Sequence, residues 1–404
     1  MTLKPIKWFL IPACACLFLV PLAGCWSTFE LTELTFARIM VLDKAKEGIE
    51  LTLGFPLSNK MVSSQAGAGG GGGGGEQSSP PYTFVSKTDR QVTKAYRDIQ
   101  SDLSRRISFG QLSIIVIGRK LAEEGIRPVV DFLAREPKLH INCFLFVAEG
   151  KGTKLASIPL GFEKYPEDIL SGFANKQVTA DVTVRDLLMA NYTGGDLIIP
   201  MIVFGRQGMV KKSPGEVWMG TDGGAVFRQG KMVGRLNTKE MRGALWILGK
   251  LNDAEVNVPS PTDGKNVSFL VWHEKTRIVP VISDRLSIRI QCKAHVDLLA
   301  SESNIDLNDP KQQRQLERSL GNKMAKRMAS AIAATKAAKS DAFQLGNYIR
   351  WHYPGKWKEI QADWREVYVS QTDITEHVEV SIKRLGSVHK VEGERLRTSK
   401  GESR

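Results

Sequence analysis

Hydrophobic and polar positions alternate with a period of two in several parts of the chain, and this period predicts β-strands. The first is a hairpin, in which residues 37–43 and 49–55 are extended on either side of a polar turn at 44–48. Cys292 follows Leu286, Ile288 and Ile290 at the same period, so it is expected on their inward face. Other apolar or alternating segments predict strands at 112–118, 140–148, 196–205, 267–272, 277–282, 285–299 and 374–385.

A helical period governs other segments, and the longest of them is 309–339. Asp309 is the expected cap and Pro310 the first helical residue, a position where proline costs no hydrogen bond. One apolar stripe recurs every four residues along this helix, at Leu316, Leu320, Met324, Met328 and Ile332. Shorter helices are predicted from Thr88 to Arg106, at 126–135, at 181–190, from the Asn237–Glu240 capping box to Gly249, and in two parts at 348–368.

This alternation of helices and strands predicts the α+β class, with two to three mixed-sheet domains flanked by helices. A run of seven glycines, 69–75, lies in a segment at 62–80 that cannot bury side chains, so we expect a disordered loop there. The glycines lack the Gly-Lys-Ser/Thr that a phosphate-binding loop requires. A second glycine-rich stretch at 205–224 is the predicted main boundary between an N-terminal α/β region, 25–205, and a C-terminal α/β domain, 206–386. The first region is expected to hold two subdomains.

The N-terminus has the arrangement of an export signal. Lys4 and Lys7 precede an apolar run from Trp8 to Leu22, and Leu22-Ala23-Gly24-Cys25 is similar to a bacterial lipobox. We therefore expect residues 1–24 to be removed and Cys25 to carry a diacylglyceryl group that anchors the chain to a membrane. An uncleaved anchor and a plain secretion signal are the alternatives, although the run is short for a spanning helix.

Charge favours an anionic partner. The formal net charge is +13, and seven Lys or Arg residues against three Glu follow from residue 383 onward. Residues 387–404 are expected to form a disordered basic tail. Lipid headgroups fit this charge through a basic protein surface, whereas export argues against nucleic acid as a partner.

The sequence contains no motif that identifies an enzyme, a metal site or a cofactor site. It lacks a nucleophile elbow and a His-Glu-x-x-His motif, and its six histidines are scattered singly. Glu163 and Asp168 are a carboxylate pair of a common kind in a polar segment. Of the five cysteines, Cys143 and Cys292 remain beyond Cys25 once the leader is removed, and two buried thiols are expected instead of a disulfide.

Aromatic residues at 348–368 have two interpretations. Trp351, Trp357 and Trp364 stand among Lys356, Lys358 and Arg365, which suits a partner surface or a membrane interface. Tryptophans at helical spacing also pack terminal helices onto sheets, and the stripe of helix 309–339 has the same two interpretations. We expect core packing in both cases, with a partner or membrane surface as the alternative.

Several segments in order resemble the Ger(x)C family, the lipoprotein C subunits of spore nutrient germinant receptors. The segments that carry the resemblance are Gly24-Cys25-Trp26, Glu30-Leu31-Thr32-Glu33-Leu34, Asp43-Lys44, the glycine run, Phe109–Gly118, Gly224–Phe227 with Gly234, Arg242-Gly243, Leu245-Trp246, Lys339-Ser340-Asp341, Tyr353-Pro354, Trp357 and Trp364. Ser27-Thr28 and Val41-Leu42-Asp43 depart from an Asp-Arg pair and a Gly-x-Asp that are usual in the family.

The resemblance implies a non-enzymatic subunit with three mixed α/β domains on the outer surface of the spore inner membrane. Its implied partners are an integral membrane subunit similar to amino-acid transporters and a second membrane subunit, and only Cys25 carries over as a functional residue. A lipid-anchored solute-binding protein of a transporter is the alternative hypothesis. A cell-envelope enzyme that acts on acidic wall polymers is the third.

Overall fold

The structure is a computed structural model that describes residues 30–57, 82–158, 163, 165–205, 218–251 and 254–384. The strands are β1 Leu34–Phe36, β2 Ile39–Lys44, β3 Ile49–Pro56, β4 Tyr82–Asp89, β5 Arg106–Ser108, β6 Ile114–Gly118, β7 Phe144–Ala148, β8 Leu197–Gly205, β9 Trp218–Arg228, β10 Lys231–Leu236, β11 Ala254–Pro259, β12 Asn266–Ile282, β13 Leu286–Ser301 and β14 Asp373–Arg384. The helices are α1 Val92–Asp102, α2 Arg119–Glu124, α3 Arg127–Arg135, α4 Pro166–Asn175, α5 Val184–Tyr192, α6 Thr238–Leu248, α7 Pro310–Ala337, α8 Leu345–His352, α9 Pro354–Ile360 and α10 Trp364–Glu366. Short 3-10 helices occupy Leu31–Glu33 and Gly152–Ser157, and a short π-helix occupies Val367–Gln371.

An eight-stranded mixed sheet forms the larger layer, in the order β10-β9-β8-β7-β6-β2-β3-β4. Its centre is parallel from β2 through β6 and β7 to β8, and antiparallel hairpins extend both sides. Both faces of the central strands are apolar, which is the pattern expected where helices or turns cover both sides of a sheet. A separate short parallel pair joins β1 to β5.

A four-stranded sheet forms the second layer, in the order β11-β12-β13-β14. The long helix α7 packs on it and on α6, and its predicted stripe from Leu316 to Ile332 is buried throughout. Two glycines permit this close packing: a Cβ on Gly243 of α6 would meet the carbonyl oxygen of Arg327 at 2.0 Å, and one on Gly321 would meet that of Val378 at 2.6 Å.

The fold class predicted from the sequence is confirmed: the chain is α+β, with mixed sheets and flanking helices. The 37–55 hairpin, the helix that Asp309 caps and the Asn237–Glu240 capping box all form as predicted. The sheet continues across the predicted boundary at 205–224, because β9 and β10 add to β8. The predicted leader with Cys25, the predicted loop at 62–80 and the predicted tail at 387–404 lie outside the described residues.

Several predicted bounds are wrong for identifiable reasons. The helix expected from Thr88 begins at Val92, because Tyr82–Asp89 is a strand that pairs with β3 and was not predicted. That helix ends at Asp102, and Arg106, expected in its last turn, begins β5 beside β1. The strand expected at 140–148 begins at Phe144, since the preceding residues turn toward α5 instead.

Candidate interaction site

The three tryptophans singled out from the sequence lie on the consecutive helices α8, α9 and α10 and in different environments. Trp364 is buried, Trp357 is half-buried, and Trp351 is 66% exposed. The rings of Trp357 and Trp364 meet edge to face, with centroids 5.6 Å apart. Trp364 therefore cannot offer its ring to a partner or a membrane, because core packing already covers it, and Trp351 stays the predicted contact residue.

Asp341 connects the residues around Trp364 by hydrogen bonds. Its carboxylate accepts the indole N–H of Trp364 at 2.8 Å and the backbone N–H groups of Leu345 and Gly346, each at 2.8 Å. A Cβ on Gly346 would meet the indole nitrogen of Trp364 at 2.7 Å and the ring of Trp357 at 2.9 Å. A glycine in the first turn of α8 thus lets both indoles lie directly on the helix.

Asp196 connects the cluster to the eight-stranded sheet. It immediately precedes β8, and its carboxylate accepts the backbone N–H of Asp341 at 3.0 Å, the backbone N–H of Gln229 at 3.1 Å and the Arg365 guanidinium at 2.7 Å. Arg365 also donates to the carbonyl oxygen of Gly194 at 3.1 Å. These contacts join the start of β8, the β9–β10 turn and the C-terminal helices, a unit we call the Asp196–Asp341 joint.

Burial sets the protonation of this joint. Loss of solvation raises the pKa of Asp341 to about 7, against the lowering effect of its three N–H donors. Burial also raises the pKa of Tyr368, whose hydroxyl lies 2.8 Å from the hydroxyl of Thr335. Asp341 thus lies near Asp196, which is paired with Arg365, and near the phenol of Tyr368, which burial keeps protonated.

A cavity of about 390 Å³ opens beside the joint, lined by residues of α8, α9, α10 and the turn before β8. Asp341, Trp357, Trp364 and Arg365 contribute to its wall, where the Trp364 indole N–H donates to Asp341 and the Arg365 Nη2 donates to Asp196. Within the described parts of the chain, no group of three or more His, Cys, Asp or Glu residues is arranged to hold a metal ion. The geometry is that of a structural joint.

The exposed surface next to the joint is aromatic. Trp351 packs its edge against Tyr348, with ring centroids 5.4 Å apart, on the outer side of α8. A second cavity of about 220 Å³ separates this pair from Asp186 of α5. On α5, Met189 and Tyr192 are 62% and 84% exposed. Helices α5 and α8 thus each carry exposed large apolar side chains.

Cys143 and Cys292 are buried without a disulfide, as expected, and each is 1% exposed. Burial raises the pKa of Cys143 to about 12, and its Sγ donates to the carbonyl oxygens of Leu112 and His140. Neither thiol has the character of a reactive nucleophile.

Sequence reasoning missed Asp196, Asp341 and Arg365 as connected residues. Asp341 directly follows the Lys339-Ser340 pair at the end of α7, where a polar residue after a long helix is ordinary. Asp43 was missed for the same reason: its buried carboxylate accepts the backbone N–H groups of Gly152 and Thr153, at 2.8 and 2.9 Å. The sequence around a single acidic residue near the end of a helix or strand does not indicate which backbone N–H groups its carboxylate will bind.

Among the described residues, no helix is both long and apolar enough to cross a membrane. Residues 27–204 match the family model described as spore germination protein N-terminal domain, and residues 222–386 match the model described as spore germination B3/GerAC like, C-terminal. The first matched range ends within β8 and the second begins within β9.

Similar proteins carry related names. Spore germination protein KC of Bacillus subtilis (strain 168) is 25% identical over 387 residues, which cover 92% of this chain and 94% of that protein. Spore germination protein B3 of the same organism is 22% identical over 389 residues, 92% of this chain and 96% of that protein. The crystal structure of the GerBC protein superposes with a TM-score of 0.55 at 16% identity, covering 85% of this chain and 96% of that one. This last similarity supports the fold.

Proposed function

The chain belongs to the spore germination B3/GerAC-like family, and from that premise we propose that it is a lipid-anchored subunit of a spore nutrient germinant receptor. It acts through protein–protein contacts at the outer face of the spore inner membrane and supports germination in response to nutrients. Its partners are integral membrane subunits of the same receptor. The observation that carries the proposal is that the two family models together extend over nearly all of the chain after Cys25.

Anchoring is the physical basis of the proposed role. Leu22-Ala23-Gly24-Cys25 supplies the acceptor cysteine, and two acyl chains hold a protein durably on a bilayer at about 0.8 kcal/mol per buried methylene. Confinement to the membrane plane raises the effective concentration of the subunit near its partners without any additional contact. The role needs no catalysis. A structural joint such as that of Asp196 and Asp341 suits a subunit that acts through contacts with other proteins.

The test is a strain that lacks the gene and is complemented with the wild-type chain, with Cys25→Ala or with Cys292→Ala. We expect Cys25→Ala to leave the membrane fraction and to lose germination with single nutrients. Cys292→Ala is the matched control, because that thiol is buried and cannot accept a lipid, and it should stay membrane-bound. Membrane fractionation of Cys25→Ala identical to wild type would contradict the anchor.

The alternative, a solute-binding protein of a transporter, makes a different prediction. It requires saturable binding of a small solute by the chain alone and a normal germination response in the deletion strain. Normal germination on every single nutrient tested would exclude the receptor role, whatever the location of the protein.

A further inference from the structure

Three parallel strands of the large sheet begin at one level, which defines an edge of the molecule. Ile39 of β2 pairs with Ile114 of β6, and Ile114 pairs with Phe144 of β7. The segments that lead into these strands, 30–38, 103–113 and 136–143, must therefore lie side by side. We call the exposed part of these segments the amino-edge surface.

Direct contacts hold the three segments together. β1 pairs with β5, so Leu34 lies opposite Arg106. The Nε2 atom of His140 lies 3.1 Å from the carbonyl oxygen of Gly110, and the backbone N–H of Phe144 donates to the carbonyl oxygen of Ser113 at 2.8 Å. The amino-edge surface is thus built on hydrogen-bonded backbone and does not depend on loose loops.

The described chain begins on this surface, only five residues after Cys25. Five residues span at most about 18 Å when fully extended, so Glu30 cannot lie farther than that from an acylated Cys25. Leu31–Glu33 is a surface turn without buried residues, and Leu31 is 76% exposed. A lipid at Cys25 would therefore bring the amino-edge surface, before any other part of the body, to the headgroup level.

The amino-edge surface carries exposed basic and apolar side chains. Arg105, Arg106 and Lys138 are exposed there, and Ile141 of the same segments is 48% exposed. The acidic residues of the same segments are Glu30, Glu33 and Glu136, the last of which accepts the backbone N–H of Lys138. Exposed apolar side chains can enter the interface while the cations meet phosphate groups.

We propose that the amino-edge surface of Leu31, Arg105, Arg106, Lys138 and Ile141 lies against an anionic lipid bilayer and orients the anchored body. The inference rests on the proposed function, because it needs the lipid at Cys25. It adds what an anchor alone does not give, namely one fixed face toward the membrane. The opposite ends of the same strands then point away from the bilayer.

The experiment measures how closely two edges of the protein approach the lipid. Fluorophores are attached at Gln111→Cys on the amino-edge surface and, in a second sample, at Glu47→Cys in the β2–β3 turn at the opposite edge. Both sites are exposed, whereas Cys143 and Cys292 are buried, so labelling is selective. The acylated chain is reconstituted in phosphatidylglycerol/phosphatidylcholine vesicles whose headgroups carry a nitroxide quencher.

We expect strong quenching at position 111 and little at position 47. Charge reversal of Arg105, Arg106 and Lys138 to Glu should reduce quenching at 111 by about fivefold or more, because the variant surface is repelled by the anionic headgroups. The matched control reverses three exposed lysines at the opposite edge, Lys46, Lys120 and Lys151, and should leave that quenching unchanged. High salt should also reduce quenching at position 111, because it screens the attraction between the basic residues and the anionic headgroups.

The outcomes separate the two proposals. Vesicles that float with the protein while position 111 stays unquenched, or while position 47 is quenched equally, would overturn the orientation and leave the anchor intact. Quenching that the amino-edge triple variant leaves unchanged would also overturn it. A chain that does not float with the vesicles overturns the anchor, and the orientation with it.

Discussion

Arg365 and Asp196 form an ion pair, with the guanidinium nitrogen Nη2 2.7 Å from the carboxylate oxygen Oδ1, although 169 residues separate them in sequence. Asp196 is largely buried and Arg365 is about one-third exposed. Because the same carboxylate accepts the backbone N–H of Asp341, the pair links the start of β8 to the C-terminal helices. This joint is a polar contact between the large sheet and the C-terminal segment.

A double-mutant cycle with Asp196→Asn and Arg365→Gln measures this link. Partial exposure of the arginine weakens the pair, so we expect a coupling free energy of about 1 kcal/mol, from denaturant unfolding. The control cycle uses Asp131 and Arg135, an exposed i,i+4 pair on α3, for which about 0.3–0.5 kcal/mol is expected. Equal coupling in the two cycles would contradict a special role for the joint.

Trp364→Phe removes the indole N–H that Asp341 accepts while it keeps an aromatic ring. The free energy of unfolding should fall by about 1–3 kcal/mol, because a buried carboxylate loses a donor and a cavity forms. Trp351→Phe is the matched control on the exposed side of α8 and should change stability by less than about 0.5 kcal/mol. A larger loss of stability in Trp351→Phe than in Trp364→Phe would contradict the assignment of Trp364 to the core and Trp351 to the surface.

Asp341 should make stability depend on pH in an unusual direction. Its pKa rises from the ordinary 3.8 to about 7 on folding, so the native state binds one more proton than the unfolded state between those values. The free energy of unfolding contributed by this group therefore falls as the pH rises from about 4 to 7, by up to about 1.4 kcal/mol per pH unit.

Denaturant unfolding at several pH values checks this direction, with Asp341→Asn as the comparison. The variant is expected to be less stable overall, since an amide cannot accept all three N–H donors, and to lack this part of the slope. A wild-type minus variant difference that is constant from pH 4 to pH 7 would contradict the raised pKa.

Two helical glycines should respond to alanine in opposite directions. Gly243→Ala places a Cβ 2.0 Å from the carbonyl oxygen of Arg327, so α6 and α7 must separate, and we expect a loss of about 1–3 kcal/mol. Gly172→Ala in α4 meets nothing within 4 Å and should add up to about 1 kcal/mol, because alanine favours helix. Thermal or denaturant unfolding of both variants checks the pair; a stabilising Gly243→Ala would contradict the packing.

The internal thiols should be inert in the folded protein. Burial raises the pKa of Cys143 to about 12 and hides both sulfurs, so neither Cys143 nor Cys292 should react with a thiol reagent at pH 8. Both should react fully in denaturant without prior reduction, which also tests the absence of a disulfide between them. Rapid reaction of either thiol in the native protein would contradict the burial.

The local elements could be predicted where the signal lies within a few residues. The Asn237–Glu240 capping box and the Asp309-Pro310 start depend on contacts inside one helical turn, and the structure has both. The strand Tyr82–Asp89 could not be predicted, because five of its eight residues are only partly buried and its stability comes from pairing with β3.

The sequence by itself determined the lipobox-like segment, the periods of the helices and strands, and the α+β class, because each depends on neighbours in the chain. Tertiary structure alone decided that Trp364 is core while Trp351 is surface, since both tryptophans stand between polar or charged neighbours and differ in what packs on them. It also decided that Asp196, Asp341 and Arg365 meet and that Glu30 and Arg106 share an edge. Such contacts follow from sheet order and register, which a local pattern does not encode.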